Sequence, residues 1–257
     1  MSKRNSKAGG RLRRGTYLLP SLFTIGNIIL GFYAIVRGLR GDFVTAAILI
    51  FVAGVIDGLD GRIARLTNTE SAFGREFDSL ADILTFGAAP ALLAYVWGLE
   101  EIGRLGWILP LFYLVCASTR LARFNVQTRV ADKRFFVGLP IPAAACSIAS
   151  FLYFAPGAEE RLWTRLVLLV AFGGLAVLMI STFRYPSFKQ IDFKRRWSYR
   201  TALPLAFVLL VVAYHPPAFF LTLALVYTLS APLAWCLGRT ARITPPPEPE
   251  AKSGAQH

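Results

Sequence analysis

The chain has 257 residues, of which 55% are hydrophobic, and it carries a formal net charge of +13. A water-soluble domain of this length would have to bury an implausible amount of apolar surface, so the composition excludes an ordinary soluble protein. The basic residues lie between apolar runs, which favours contact with anionic lipid headgroups over contact with nucleic acid.

The apolar residues fall into runs long enough to cross about 30 Å of hydrocarbon as helices. We count eight of them, in chain order 17–36, 43–57, 79–99, 105–122, 138–156, 164–183, 201–215 and 217–237. The second run ends in polar residues and the seventh is short, so the pattern supports an even number of spans, about eight. The sequence therefore predicts an all-α fold, a polytopic transmembrane helix bundle.

The basic residues predict the orientation of this bundle. With a cytoplasmic N-terminus, 23 of the 28 Lys and Arg residues lie in the ends and connections that face the cytoplasm, and five lie in the opposite connections. The positive-inside rule expects such an excess on the cytoplasmic side. We therefore expect a basic cytoplasmic N-terminal segment at 1–16, a transmembrane domain at 17–237 and a disordered cytoplasmic tail at 238–257.

Acidic residues are concentrated after the second apolar run, where residues 57–82 hold six of the fifteen Asp and Glu residues. Spacings of three and four residues predict two helical faces there. The first face carries Asp57, Asp60, Gly61, Ala64 and Arg65, and the second carries Gly74, Asp78 and Asp82. If the two helices are antiparallel neighbours, four carboxylates meet at their cytoplasmic ends, where glycine and alanine let the backbones or a ligand approach closely.

Four carboxylates on one small surface favour a metal site. Like charges this close repel one another unless a cation neutralises them, and ionisable residues at a membrane boundary are costly unless they are functional. Oxygen ligands without nearby His or Cys select Mg²⁺, Mn²⁺ or Ca²⁺ rather than zinc, and four carboxylates can hold two such ions, which suits phosphoryl transfer. The alternative is a structural cluster of ion pairs with Arg62, Arg65 and Arg75, which would account for one or two of the aspartates.

The same residues resemble a known signature. The pattern Asp57-x-x-Asp60-Gly61-x-x-Ala64-Arg65, then eight residues, then Gly74-x-x-x-Asp78-x-x-x-Asp82 is similar to that of the CDP-alcohol phosphotransferases. These integral membrane enzymes displace CMP from a CDP-linked lipid or alcohol with another alcohol. The resemblance implies that Asp57, Asp60 and Asp78 carry Mg²⁺ or Mn²⁺, with two ions expected, and that Asp82 does so or serves as the general base. The residues expected to bind the cytidine diphosphate are Asp57, Asp60, Gly61, Ala64, Arg65 and Gly74.

Stretches outside the signature are similar to one branch of that family, the membrane-embedded bacterial phosphatidylserine synthases. They are LLPSLFTIGNIILGFYAI, SLADILTFGAAPALLAY, STRLARFNV, FVGLPIPAAA and STFRYPSFK, which follow one another within residues 17–200. The resemblance implies that the substrates are CDP-diacylglycerol and L-serine. It also implies an enzyme embedded in the lipid bilayer of the cytoplasmic (inner) membrane, with its active site facing the cytoplasm, and a homodimer.

Polar residues in the other spans have alternative interpretations. Arg120, Arg123 and Asn125 lie at the cytoplasmic end of the fourth span, where the arginines either bind the carboxylate of the acceptor or anchor the helix in the membrane. Asn27, deep in the first span, either contacts a metal ligand or the diphosphate, or bonds to a neighbouring helix. Within the family the acceptor could also be glycerol phosphate, inositol phosphate or choline. A cation transporter is the alternative outside the family, and the scarcity of polar residues within the spans argues against it.

Overall fold

The computed structural model describes residues 18–67, 72–127, 135–157, 161–186 and 214–237. These residues contain seven helices and one pair of short strands. The helices are α1 (Leu18–Leu39), α2 (Phe43–Thr67), α3 (Ala72–Asp82, Ile83–Ala88 and Ala89–Trp97), α4 (Arg104–Gln127), α5 (Ile141–Phe154), α6 (Leu162–Ile180) and α7 (Pro216–Cys236). The strands are β1 (Phe135–Val137) and β2 (Arg184–Pro186), and a 3₁₀ turn at Leu99–Ile102 joins α3 to α4.

Five of these helices, α1, α3, α4, α6 and α7, are long and apolar enough to cross a membrane. The two others have shorter apolar stretches, Phe43–Leu59 in α2 and Ile141–Phe154 in α5. The chain is therefore an integral membrane protein, and the predicted helix bundle is confirmed. Most of the predicted seventh span, 201–215, lies outside the described residues, as do the segments 1–16 and 238–257. The number of eight spans and the orientation of the ends therefore stay predictions.

Small residues allow the helices of the bundle to pack closely. The buried positions of α2 and α5 are rich in alanine, including Ala46, Ala47, Ala53, Ala144, Ala145 and Ala149. In α1, Gly31 lies against Thr85 of α3 so closely that a Cβ atom at this glycine would overlap the threonine. Close backbone approach of this kind is how helices associate in lipid, where the hydrophobic effect between helices is weak.

A π-helical segment interrupts α3 directly after Asp82 and is fixed from two sides. The hydroxyl of Thr85 donates to the backbone carbonyl of Asn27 in α1 at 3.0 Å. The buried hydroxyl of Tyr113 in α4 donates to the backbone carbonyl of Phe86 at 3.0 Å. Pro90, four residues after Phe86, has no N–H to offer this carbonyl, so the tyrosine provides a donor that the helix lacks. The α3 backbone beside Asp82 is therefore held by both neighbouring helices.

The two strands pair the segment before α5 with the segment after α6, and the sequence analysis did not predict them. They pair antiparallel, with Phe136 opposite Tyr185. The chain then turns into α5 through Gly138, which has a φ of +75° and lies so close to the carbonyl oxygens at the end of α6 that a Cβ atom would overlap them. The backbone N–H of Gly138 donates to the carbonyl of Phe183 at 2.8 Å. This junction sets where α5 begins, and so where its first residues face the site.

Helix α7 is anchored to the strands by the same means as the π-helical segment. Pro232 inside α7 has no N–H, so the carbonyl of Thr228 lacks its usual helical donor. The fully buried hydroxyl of Tyr185 donates to that carbonyl at 2.9 Å. The side chains of Thr228 and Ser147 of α5 lie 3.2 Å apart, which adds a polar contact between α7 and α5. Helix α7 is therefore positioned by β2 and α5.

Candidate metal and substrate site

Three of the four predicted aspartates lie together where α2 and α3 meet. One carboxylate oxygen each of Asp57, Asp78 and Asp82 lies within 4.8 Å of the others. Asp57 lies on α2, and the other two are one helical turn apart on α3, as the sequence spacing predicted. All three are half-buried, and one oxygen of Asp82 is buried with no hydrogen-bond partner among the described residues.

This arrangement fits a divalent cation. Three carboxylates at this separation repel one another, and a buried carboxylate oxygen without a donor is costly, so a cation between them would relieve both costs. Carboxylate oxygens without His or Cys are the donor set of Mg²⁺, Mn²⁺ and Ca²⁺. The residues that would hold such an ion are Asp57, Asp78 and Asp82.

Part of the predicted signature lies beyond the side chains that the structure describes. Asp60, Gly61, Ala64 and Arg65 belong to the last turns of α2, for which the helix alone is described. Their predicted roles in binding metal and cytidine diphosphate therefore stay predictions. Gly74 lies in the first turn of α3, one turn before Asp78, which is the register that the spacing predicted.

The carboxylates line a cavity of about 750 Å³. One part of its wall is polar, formed by the aspartates and by Arg120 of α4. The remainder is mostly apolar and comes from α2, α4, α5 and α7, with Gly54, Val55, Leu121, Phe124, Pro140, Pro142, Cys146, Phe220 and Leu223 among the lining residues. Pro140 and Pro142, at the start of α5, lie in this wall. A polar end joined to an apolar wall suits an amphipathic ligand with a charged head and hydrocarbon chains.

The three residues predicted to bind the acceptor are not brought together. Arg120 lines the cavity and interacts electrostatically with Asp82, and its Nε atom is buried without a hydrogen-bond partner among the described residues. Arg123 is one turn away and exposed. Asn125 is also exposed, and its side-chain amide donates to the hydroxyl of Ser79 on α3 at 2.9 Å. Of the three, Arg120 is the residue that the structure places beside the carboxylates.

Asn27 has an unusual environment for an amide. Its side chain is 1% exposed, and neither its oxygen nor its nitrogen has a hydrogen-bond partner among the described residues. Its contact with α3 is made by its backbone carbonyl, which Thr85 donates to. A buried amide without partners costs about 1–3 kcal/mol for each unsatisfied group. Asn27 is not among the described residues that line the cavity, so its predicted contact with a metal ligand or the diphosphate stays a prediction.

The sequence analysis missed the residues that α7 contributes to the cavity. Phe220, Leu223, Ala224 and Tyr227 lie on this helix at spacings of three and four residues, which is one helical face. The signal in the sequence was a single tyrosine in an otherwise apolar span. It could not be interpreted there, because apolar spans commonly carry tyrosine near the membrane surface.

An apolar helix bundle with three clustered carboxylates in a half-apolar cavity defines a membrane-embedded protein with a site for a divalent cation and an amphipathic ligand. The family model for CDP-alcohol phosphatidyltransferase matches residues 17–180. The chain therefore belongs to this family of membrane enzymes, and the resemblance noted in the sequence is confirmed.

Several relatives resemble the chain over most of its length. It is 40% identical over 206 residues to the CDP-diacylglycerol–serine O-phosphatidyltransferase of Helicobacter pylori strain 26695. The matched region covers 78% of this chain and 83% of that protein. The protein of the same name from Bacillus subtilis is 36% identical over 174 residues, 67% of this chain and 92% of that protein. The archaetidylserine synthase of Methanothermobacter thermautotrophicus is 35% identical over 170 residues, 65% of this chain and 69% of that protein.

Proposed function

We propose that the protein transfers the phosphatidyl group of CDP-diacylglycerol to the hydroxyl group of L-serine, forming phosphatidylserine and CMP. The observation that carries this proposal is the cluster of Asp57, Asp78 and Asp82 in a cavity with an apolar wall, in a member of the CDP-alcohol phosphatidyltransferase family. The names of the relatives favour serine as the acceptor over glycerol phosphate, inositol phosphate or choline.

The cavity accounts for the binding of both ends of CDP-diacylglycerol. The acyl chains lie along the apolar wall that α2, α5 and α7 form, and the cytidine diphosphate lies at the carboxylate end. The amide of Asn27, which has no hydrogen-bond partner among the described residues, would donate to a diphosphate oxygen. Asp60, Gly61, Ala64 and Arg65 complete the nucleotide site on the last turns of α2, as the family signature implies.

The reaction is a direct displacement at phosphorus. Asp57, Asp78 and Asp82, with Asp60 as a fourth ligand, would hold divalent cations, which would supply neutralisation of the diphosphate and polarisation of the phosphorus. The hydroxyl of serine attacks the phosphorus atom that carries the diacylglycerol, and its proton passes to Asp82. The bond between that phosphorus and the CMP oxygen breaks, and CMP leaves. Arg120 faces the same cavity and binds the serine carboxylate.

The location of the reaction follows from the charge distribution. The proposed site lies in the cytoplasmic half of the cytoplasmic (inner) membrane, since most of the basic residues belong to the connections at that end. The family resemblance further favours a homodimer. Labelling of single cysteines introduced into the 184–200 connection of a variant without native cysteines, from either side of sealed vesicles, tests the orientation. Mass measurement of the protein in detergent tests the dimer.

The deciding experiment supplies purified protein with CDP-diacylglycerol and one labelled acceptor at a time, and identifies the lipid formed. We expect phosphatidylserine from L-serine, and no lipid product from glycerol 3-phosphate, inositol phosphate or choline. Chelation of divalent cations should abolish CMP release, and Mg²⁺ or Mn²⁺ should restore it. Asp78→Asn is the matched control, because it keeps the shape of the side chain and removes its charge. Transfer to a different acceptor, or full activity in chelator, would contradict the proposal.

A further inference from the structure

Helix α7 contributes a wall to the site although it lies outside the region that the family model matches. That region ends at residue 180, whereas α7 begins at Pro216. The carboxylates, and the residues expected to bind cytidine diphosphate, all lie before residue 180. A feature that selects the acceptor need not lie in the shared region, because the acceptor differs between members of the family. The wall that α7 contributes can therefore carry such a feature.

Tyr227 is the polar side chain that α7 brings to the cavity among the described lining residues. Phe220, Leu223 and Ala224, which also line the cavity, are apolar. Tyr227 lies two helical turns beyond Phe220 and lines the same cavity as the charged residues. It interacts electrostatically with the guanidinium of Arg120, which reaches the cavity from α4. A phenol and a guanidinium thus face the same space from two helices.

The position of Tyr227 is fixed by contacts that do not involve the metal cluster. Its ring lies 5.5 Å from the ring of Tyr185, centroid to centroid. Tyr185 is fully buried, and its hydroxyl donates to the backbone carbonyl of Thr228, the residue after Tyr227. This carbonyl has no helical donor, because Pro232 lacks an N–H group. The backbone beside Tyr227 is therefore held to β2, and its side chain is pre-organised for binding.

We propose that Tyr227 is a specificity-determining residue that binds the carboxylate of the amino-acid acceptor together with Arg120. This inference rests on the proposed function, because it assumes that the acceptor is L-serine. The acceptor carboxylate would be repelled by Asp57, Asp78 and Asp82, so it has to face away from them. Arg120 offers a positive charge and a buried Nε atom that has no partner among the described residues, and the hydroxyl of Tyr227 is a second donor group.

The test is the variant Tyr227→Phe, which removes one hydroxyl and keeps the ring against Tyr185. We expect the KM for L-serine to rise about 10- to 100-fold, since a hydrogen bond to a charged group is lost. The KM for CDP-diacylglycerol and the kcat at saturating serine should stay within about threefold of wild type. Tyr153→Phe is the matched control, because Tyr153 of α5 packs against Phe220 of α7 but is not among the described residues that line the cavity. It should leave both KM values unchanged.

A second readout separates shared binding of one carboxylate from general disturbance of the site. If Tyr227 and Arg120 bind the same group, the effect of Tyr227→Phe on the serine KM should be smaller in an Arg120→Ala background than in wild type. An unchanged serine KM in Tyr227→Phe would overturn the inference. A parallel rise in the KM values for serine and CDP-diacylglycerol would also overturn it, because that pattern indicates a structural role in the wall.

Failure of the proposed function and failure of this inference give different results. If the wild-type protein does not use L-serine at all, the proposed function fails, whereas use of serine with an unaffected Tyr227→Phe removes this inference alone. If Tyr227→Phe does not accumulate as folded protein, Tyr185→Phe gives an independent test. It keeps the Tyr227 side chain but removes the hydrogen bond that positions the backbone beside it, so it should raise the serine KM selectively. An unchanged serine KM in the folded Tyr185→Phe variant would then refute the inference.

Discussion

Replacing Asn27 with leucine should make the free protein more stable and the enzyme less able to bind its nucleotide substrate. The two side chains have the same number of non-hydrogen atoms and the same branching. The substitution therefore changes the amide oxygen and nitrogen into methyl groups with little change of shape. The backbone carbonyl of Asn27, which accepts the hydrogen bond from Thr85, is untouched.

The magnitude follows from the environment of the amide. Its side chain is almost fully buried, and both polar atoms lack a hydrogen-bond partner among the described residues. Each of these two unsatisfied groups costs about 1–3 kcal/mol, so removing the amide should raise the free energy of unfolding of the substrate-free protein by about 2–6 kcal/mol. If the amide donates to the diphosphate in the complex, its loss should weaken CDP-diacylglycerol binding about 10- to 150-fold.

Two measurements on detergent-purified protein check this prediction. Thermal unfolding without substrate gives the change in stability, and equilibrium binding of CDP-diacylglycerol in the presence of Mg²⁺ gives the change in affinity. Asn125→Leu serves as a stability control. Asn125 is exposed, and its amide already donates to Ser79, so leucine there should give no increase in stability.

The two results have to occur together for the reasoning to stand. A loss of stability in Asn27→Leu would show that the amide is satisfied in the folded protein, for example by a water molecule or another part of the chain. Unchanged affinity for CDP-diacylglycerol would show that the amide does not reach the diphosphate. Either result would refute the assignment of Asn27 to the substrate site.

Three further predictions concern the catalytic cluster, the acceptor and the fold. Asp82→Asn should lower kcat by about 10²–10⁴ and retain metal-dependent binding of CDP-diacylglycerol, whereas Asp78→Asn should lose that binding. Equal loss of binding in both variants would make Asp82 primarily a metal ligand. Arg120→Ala should raise the serine KM about 10- to 150-fold, and Arg123→Ala, which changes an exposed residue, should raise it far less; steady-state kinetics with equal effects would contradict the geometry. Gly138→Ala should lower the free energy of unfolding by about 1–3 kcal/mol, because alanine is strained at a positive φ and its Cβ would overlap the carbonyl oxygens that end α6. Unaltered thermal unfolding would count against that account of the junction.

The helical bundle and the carboxylate cluster were predictable because each depends on a short-range pattern. Hydropathy runs mark the helices, since lipid admits few other structures for a chain that crosses it. The spacing of Asp78 and Asp82 by four residues places both on one face of α3 wherever that helix packs. The meeting of this face with Asp57 required one further assumption, that consecutive spans are neighbours, and the structure agrees with it.

The contributions of α7 and the strands were not predictable, because they depend on contacts between distant parts of the chain. Tyr185 and Thr228 are 43 residues apart, and nothing local to either residue indicates that they meet. The two arginines of the fourth span show the same limit. Their spacing allows Arg120 and Arg123 to share a face, but the rotation of α4 against its neighbours decides that only Arg120 is among the cavity residues described.

Two prolines connect the irregular parts of the backbone with the site. Pro90 in α3 cannot donate to the carbonyl of Phe86, and a tyrosine hydroxyl from α4 donates to it instead. Pro232 in α7 leaves the carbonyl of Thr228 without its helical donor, and Tyr185 donates to it. In lipid a carbonyl without a hydrogen-bond donor is costly. Each proline leaves one such carbonyl, and a side chain from another element donates to it.

The two hydrogen bonds therefore fix more than backbone geometry. The first holds the π-helical segment that follows Asp82 against α4, the helix that also carries Arg120. The second holds the turn of α7 that carries Tyr227 against β2. Asp82, the carboxylate proposed as the base, thus lies next to the first of these segments. Of the two groups proposed to bind the acceptor, Tyr227 lies on the second segment, and Arg120 lies on the helix whose tyrosine holds the first. This explains how helices that pack largely through alanine and glycine can present charged side chains in a defined arrangement.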